Sequence, residues 1–140
     1  MGDITVTSAD IQPGVGAQVR HFQAGAALTV GYAVYIDSSG YVQHADANVD
    51  EASSRGLGLL ISSQDGETTI ASGAQCTVVM LGPVHGFASM TPGAPVYVSK
   101  TAGRIDHTKP TGGAYQRSIG SAISAGCVFV NPINDDPDSV

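Results

Sequence analysis

A pattern of turn glycines and alternating apolar residues occurs twice in this chain, and that repetition limits the fold more than any other feature. Thr29, Gly31, Val34, Tyr35, Arg55, Gly58, Ile61 and Ser62 return 62 residues later as Thr91, Gly93, Val96, Tyr97, Arg117, Gly120, Ile123 and Ser124. Between these anchors Gly40-x-Val42-x-His44 returns as Gly103-x-Ile105-x-His107, one residue further along. Each unit reads T-x-G-x-x-V-Y-[I/V], a turn, G-x-[V/I]-x-H, a polar loop, then R-x-x-G-x-x-I-S. What recurs is the material of strands and tight turns, with no recurring set of reactive side chains. Tandem units of this kind complete one another's core. The repeat therefore describes a scaffold, and it predicts a protein that works through its surface.

A chain of 140 residues reads as one domain, large enough to bury a core without disulfides. Charged residues make up only 13% of it, about half the usual share, which points to a surface largely covered by other protein. The 12 acidic residues outnumber the 6 basic ones. Without a basic stripe or an aromatic ladder, a nucleic-acid partner is disfavoured. No apolar run approaches the roughly 18 residues of a membrane span, so no membrane partner is expected. The N-terminus lacks the basic, apolar, small-residue order of a secretory signal. Cys76 and Cys127 sit in the apolar phrases Gln-Cys-Thr-Val-Val and Gly-Cys-Val-Phe-Val, which predicts buried free thiols. A disulfide is the alternative if the chain is exported.

Strand signals recur over 3–7, 18–23, 33–37, 41–44, 56–62, 75–82, 84–88, 95–99, 103–107, 117–124 and 126–131, with Gly, Pro, Asn, Asp or Ser between them. Asp37-Ser-Ser-Gly40 and Lys100-Thr-Ala-Gly103 read as hairpin turns. One helical turn is conceivable over 48–54, and nothing else has helical periodicity. The expected fold is all-β: a small barrel, a β-tulip-like form or a compact sandwich, built from two repeated units over about 29–62 and 91–124. Residues 1–17 fall outside both units and read as an extended N-terminal arm or a frayed end. Residues 18–132 form the β domain, and 133–140 an acidic flexible tail.

Tests for chemistry give little. Asp46-x-Asn48-x-Asp50 opens like a calcium loop, but Glu51 stands where the turn glycine belongs and Leu57 where the bidentate carboxylate belongs. His21, His44, His85 and His107 have no zinc-like spacing. There is no G-x-S-x-G elbow, and Gly14-x-Gly16 and Gly56-x-Gly58 are too short to cradle phosphate. The expectation is no enzyme, no cofactor and no metal. Tyr35 and Tyr97, at matching positions, read as half-buried strand residues or as part of a subunit interface, where tyrosine is favoured.

The stretch from Val30 to Pro132 resembles the capsid decoration, or cement, proteins of tailed bacteriophages. The resemblance rests on Leu28-x-x-Gly31-x-x-Val34-Tyr35, Gly56-Leu-Gly58-Leu-Leu-Ile61, Val78-Val-Met-Leu-Gly82-Pro-Val84, Met90-Thr-Pro-Gly93-x-Pro-Val96-Tyr97-Val98, Gly103-x-Ile105 and Ile119-Gly120-x-Ala122-Ile123-Ser124. It covers about three quarters of the chain, and its motifs are structural glycines and strand residues. It implies a structural virion protein made in the host cytoplasm that binds the outer capsid surface as a homotrimer. There it would grip the major capsid protein and stabilise the expanded head. It also implies an N-terminal arm reaching the shell, here Gly2 to Val15, with Ile4, Thr5, Val6 and Thr7 pairing with a shell strand. Phage head fibres and tail spikes carry similar phrases, so a receptor- or glycan-binding β module is the alternative.

Overall fold

The computed structural model describes residues 3–48, 51–61, 67–111 and 115–132, with 51 and 52 described by their backbone alone. The acidic tail expected at 133–140, the repeat anchor Ser62 and Asp50 of the calcium-like spacing lie outside the described residues. The strands run in chain order as β1 (Thr5–Val6), β2 (Gln12–Pro13), β3 (Gln18–Gln23), β4 (Leu28–Thr29), β5 (Ala33–Ile36), β6 (Val42–His44), β7 (Gly58–Ile61), β8 (Thr69–Ile70), β9 (Gln75–His85), β10 (Phe87–Ala88), β11 (Pro95–Val98), β12 (Ile105–Asp106), β13 (Ser118–Ser124) and β14 (Cys127–Val130). A single turn of helix, α1 (Glu51–Ser54), falls inside the polar loop where one was conceivable.

The main sheet follows the order β12-β11-β13-β14-β9-β7-β5-β6, antiparallel throughout. This order reads the same from either end once the repeat is taken into account. The first unit contributes β6-β5-β7 and the second β12-β11-β13, and β9 and β14, each following its unit in the chain, join the two halves by pairing with each other. The hydrogen bonds repeat with the sequence. Gly31 donates its N–H to Leu60 and Gly93 to Ala122, both at 2.7 Å, while Leu60 donates to Tyr32 and Ala122 to Ala94, both at 2.9 Å. Val34 faces Gly58 across β5 and β7 just as Val96 faces Gly120 across β11 and β13.

Those two glycines are required by close packing of backbones. A Cβ on Gly58 would run into the carbonyl oxygen of Val79, and one on Gly120 into that of Phe129. Gly58 lies on β7, between β5 and β9, and Gly120 on β13, between β11 and β14, so the intrusion would strike main chain held in the sheet.

The two units also interlock. The N–H of Ala33 bonds to the carbonyl of Gly103 at 2.8 Å, and Gly103 donates in turn to Ala45 at 2.7 Å. One core results, running from Val30, Val34, Val42, Leu59 and Leu60 through Val78 and Val79 to Val96, Ile105, Ile119 and Val130, all without exposure. Each such side chain contributes on the order of 1.5–3 kcal/mol by leaving water. The sheet curls as well: Ala24, just beyond β3, bridges to Val42 of β6.

The reading of residues 1–17 as an extended arm is corrected. Ile4 and Ile11 are buried members of the core. The Ile4 N–H bonds to Ile105 and the Thr7 N–H to Gly86, and β1 pairs with β10 of the same chain. Gly31 and Gly86 leave the space that Ile11 fills, since a Cβ on either would meet its side chain below 3.0 Å. Two apolar anchors and a set of main-chain bonds outweigh the freedom of a loose end.

Candidate assembly surface

The residues with chemical potential are mostly committed to holding the scaffold. His44 Nε2 accepts the N–H of Thr29 at 3.0 Å, and its repeat mate His107 accepts the N–H of Thr91 at the same distance. The other ring nitrogen of His107 lies 2.8 Å from the carbonyl of Pro95. A carbonyl can only accept, so Nδ1 carries the proton and Nε2 is bare. His44 packs against Tyr32 with ring centroids 5.1 Å apart and the rings tilted by 48°, and burial pushes its pKa below the ordinary imidazole value. His21 pairs with the Thr77 hydroxyl at 3.0 Å.

Cys76 and Cys127 are free and buried, as expected, and burial raises both thiol pKa values. Asp46 accepts the N–H of Asn48 at 2.9 Å, so its carboxylate shapes its own turn. Among the described residues no cluster of three His, Cys, Asp or Glu side chains could hold a metal ion. Among the described residues no helix is long and apolar enough to cross a membrane.

The residues singled out for contact with other proteins lie in three separate places. Ile4–Thr7 is occupied by pairing within the chain. Tyr35 and Tyr97 are both half-buried, at equivalent positions of β5 and β11. Four strands separate them in the sheet, so a single chain does not gather them into one patch. Tyr35 packs against the core, while Tyr97 carries the Lys109 ammonium 5.9 Å above its ring.

Two surfaces stand out that sequence reasoning did not find. The first is an uncharged face across the seam. Pro95, Ser121, Phe129 and Pro83 are successive cross-strand partners over β11, β13, β14 and β9. Phe129 is 37% exposed, and Ile123 and Leu81 on the neighbouring strands are exposed too. The second is β3, which pairs with β9 on one side only and whose residues are exposed except for a partly covered Phe22. Its exact bounds were legible in the sequence; its place at an edge was not, because pairing partners are set by the whole topology. A polar cavity of about 350 Å³ also opens beside Asp3, Ser99, Lys100, Asp106 and Lys109, where Ser99 donates its hydroxyl to Asp3.

No protein-family model matches the chain, and no curated protein matches it.

Proposed function

We propose that this chain is a non-catalytic structural protein of a tailed-phage virion, binding the outer surface of the major capsid protein shell as a homotrimer and stabilising the expanded head. The observation that carries the reading is the uncharged, partly apolar face over the β9–β14 seam, with Phe129, Ile123 and Leu81 exposed on a chain of low charge. Exposed apolar side chains grouped on one face mark protein contact surfaces. The repeat histidines, engaged with backbone groups, leave this face rather than a reactive cluster as the notable exterior feature. The resemblance to capsid decoration proteins supplies the kind of partner. Docking of many copies on a lattice multiplies modest contacts into firm attachment.

Attachment in this reading does not use Ile4–Thr7, whose backbone is engaged within the chain. The test is a binding titration onto expanded, undecorated heads of a phage that encodes the chain, with unexpanded shells alongside. Saturation in multiples of three copies per site on expanded heads alone is the expected result. Equal binding to both shells, or to neither, removes the proposal.

A further inference from the structure

The described part of the sheet ends at β12 and β6 and at β2 and β3, which both flank β9, and the first two ends are met by other segments. At β12 the Ile4 N–H bonds to the carbonyl of Ile105, and at β6 the Gly25 N–H bonds to that of Val42. The longer of the other two is β3. Just past it, Ala24 donates its N–H to Ala74, across from β9. By the alternation of an antiparallel ladder, Phe22 and Arg20 then also turn their main-chain groups toward β9. Val19, His21 and Gln23 turn theirs the other way; the parallel bridge of Ala24 to Val42 takes up the Gln23 carbonyl, and because β3 pairs with no strand but β9, the outward groups of Val19 and His21 are left open. Shallow grooves flank the strand, one lined by Val19, Arg20 and Met80 and the other by Phe22, Gln23 and Gln75.

Native proteins blunt such edges with prolines, bulges or charge. Here a bulge between Gln18 and Val19 and the proline of β2 guard only the start. From Val19 to Phe22 the edge is straight, with the charge of Arg20 as its blunting feature.

The charges around it are one-sided. Arg20 is the single formal charge on β2, β3 and β9, and no carboxylate occurs between Asp10 and Asp37 or between Glu67 and Asp106. On an acidic chain these three strands carry no carboxylate and one exposed cation, while Asp37, bonded to Gln43 beside Gly25, stands past the end of β3. A second copy of β3 fits poorly, because a two-fold antiparallel pair centred on the strand sets Arg20 against His21 of the other copy.

We propose that the open edge of β3 takes up an extended, carboxylate-bearing segment of a partner protein by strand addition, with main-chain bonds to Val19 and His21 and an acidic side chain near Arg20. This deepens the assembly reading, on which the partner's identity as a shell protein rests.

The experiment is amide hydrogen exchange by NMR on the full chain, with an octapeptide alternating valine and glutamate as probe and its valine–lysine counterpart as control. No shell is involved, so this result and the shell titration can fail independently. The expected result is exchange slowed about tenfold or more at the amides of Val19 and His21 by the glutamate peptide alone. Arg20→Glu should transfer the effect to the lysine peptide. His21→Pro, which removes an outward N–H that the β9 ladder does not use, should abolish it; Val19→Pro serves if that variant does not fold. Unchanged exchange at millimolar peptide, equal slowing by both peptides, or slowing in the free protein that grows with its own concentration each overturns the proposal. The last outcome would assign the edge to a second copy.

Discussion

The imidazole of His44 accepts the backbone N–H of Thr29 at 3.0 Å, joining the end of one hairpin to the strand that opens its unit. The second unit makes the same bond between His107 and Thr91. An imidazolium has no lone pair to offer, so both bonds require neutral rings.

Stability should therefore fall in mild acid. His44 has its folded pKa pushed below the ordinary 6.5 by burial, so the unfolded chain takes up the proton first. The stabilisation is complete above the unfolded value, begins to drop as pH falls through it, and is fully lost below the lowered folded value. Melting temperatures from pH 8 to pH 5 should decline, and His44→Gln should flatten the decline. An unchanged slope in the variant would place the acid sensitivity elsewhere.

Gly58→Val and Gly120→Val should each cost more than about 2 kcal/mol, because the new side chain meets a carbonyl of the neighbouring strand. Urea unfolding reads this directly. Gly40→Ala at the β5–β6 turn is a useful contrast: its φ is +86° but nothing lies within 4 Å, so only backbone strain of about 1 kcal/mol is expected.

Ile4→Ala and Ile11→Ala should each destabilise by about 2–4 kcal/mol, the range for truncating a buried isoleucine. Removing residues 1–11 should lower the melting temperature sharply. A truncated chain as stable as the whole would show the segment to be an accessory.

The thiols of Cys76 and Cys127 should resist a disulfide reagent such as DTNB in the native protein and react fully in denaturant, since both are buried and burial favours the unreactive thiol form. Rapid labelling of either under native conditions would contradict that burial.

Much of the fold was legible because the strands are short and sharply punctuated. Gln18–Gln23 was read to the residue, bounded by Gly16 and Gly25. Residues 75–82 and 84–88 were expected as two strands split at Pro83, yet β9 runs through to His85. Pro83 is tolerated there because it offers its carbonyl to the Gly14 N–H, so the donor it lacks is not the group that bond needs. The N-terminal segment was misjudged for a different reason. Ile4-Thr-Val6-Thr alternates correctly for a strand, but its partner, Phe87–Ala88, lies far along the chain, and no local pattern states who pairs with whom. The histidine contacts left one trace in the sequence: Thr29 with His44 and Thr91 with His107 are separated by 15 and 16 residues. Exposure on the seam face and the openness of β3 depend on the assembled sheet and had no such trace.

The mirror order of the main sheet has a consequence for synthesis. The first unit leaves the ribosome complete to β9, but the strand that covers its seam, Cys127–Val130, is the last described strand to emerge. During that interval the nascent chain carries an unsatisfied ladder along the second half of β9, with Val84 and Pro83 beside it. A neighbouring nascent chain at the same stage presents the same gap, so crowded polysomes are where two first halves would join each other in error.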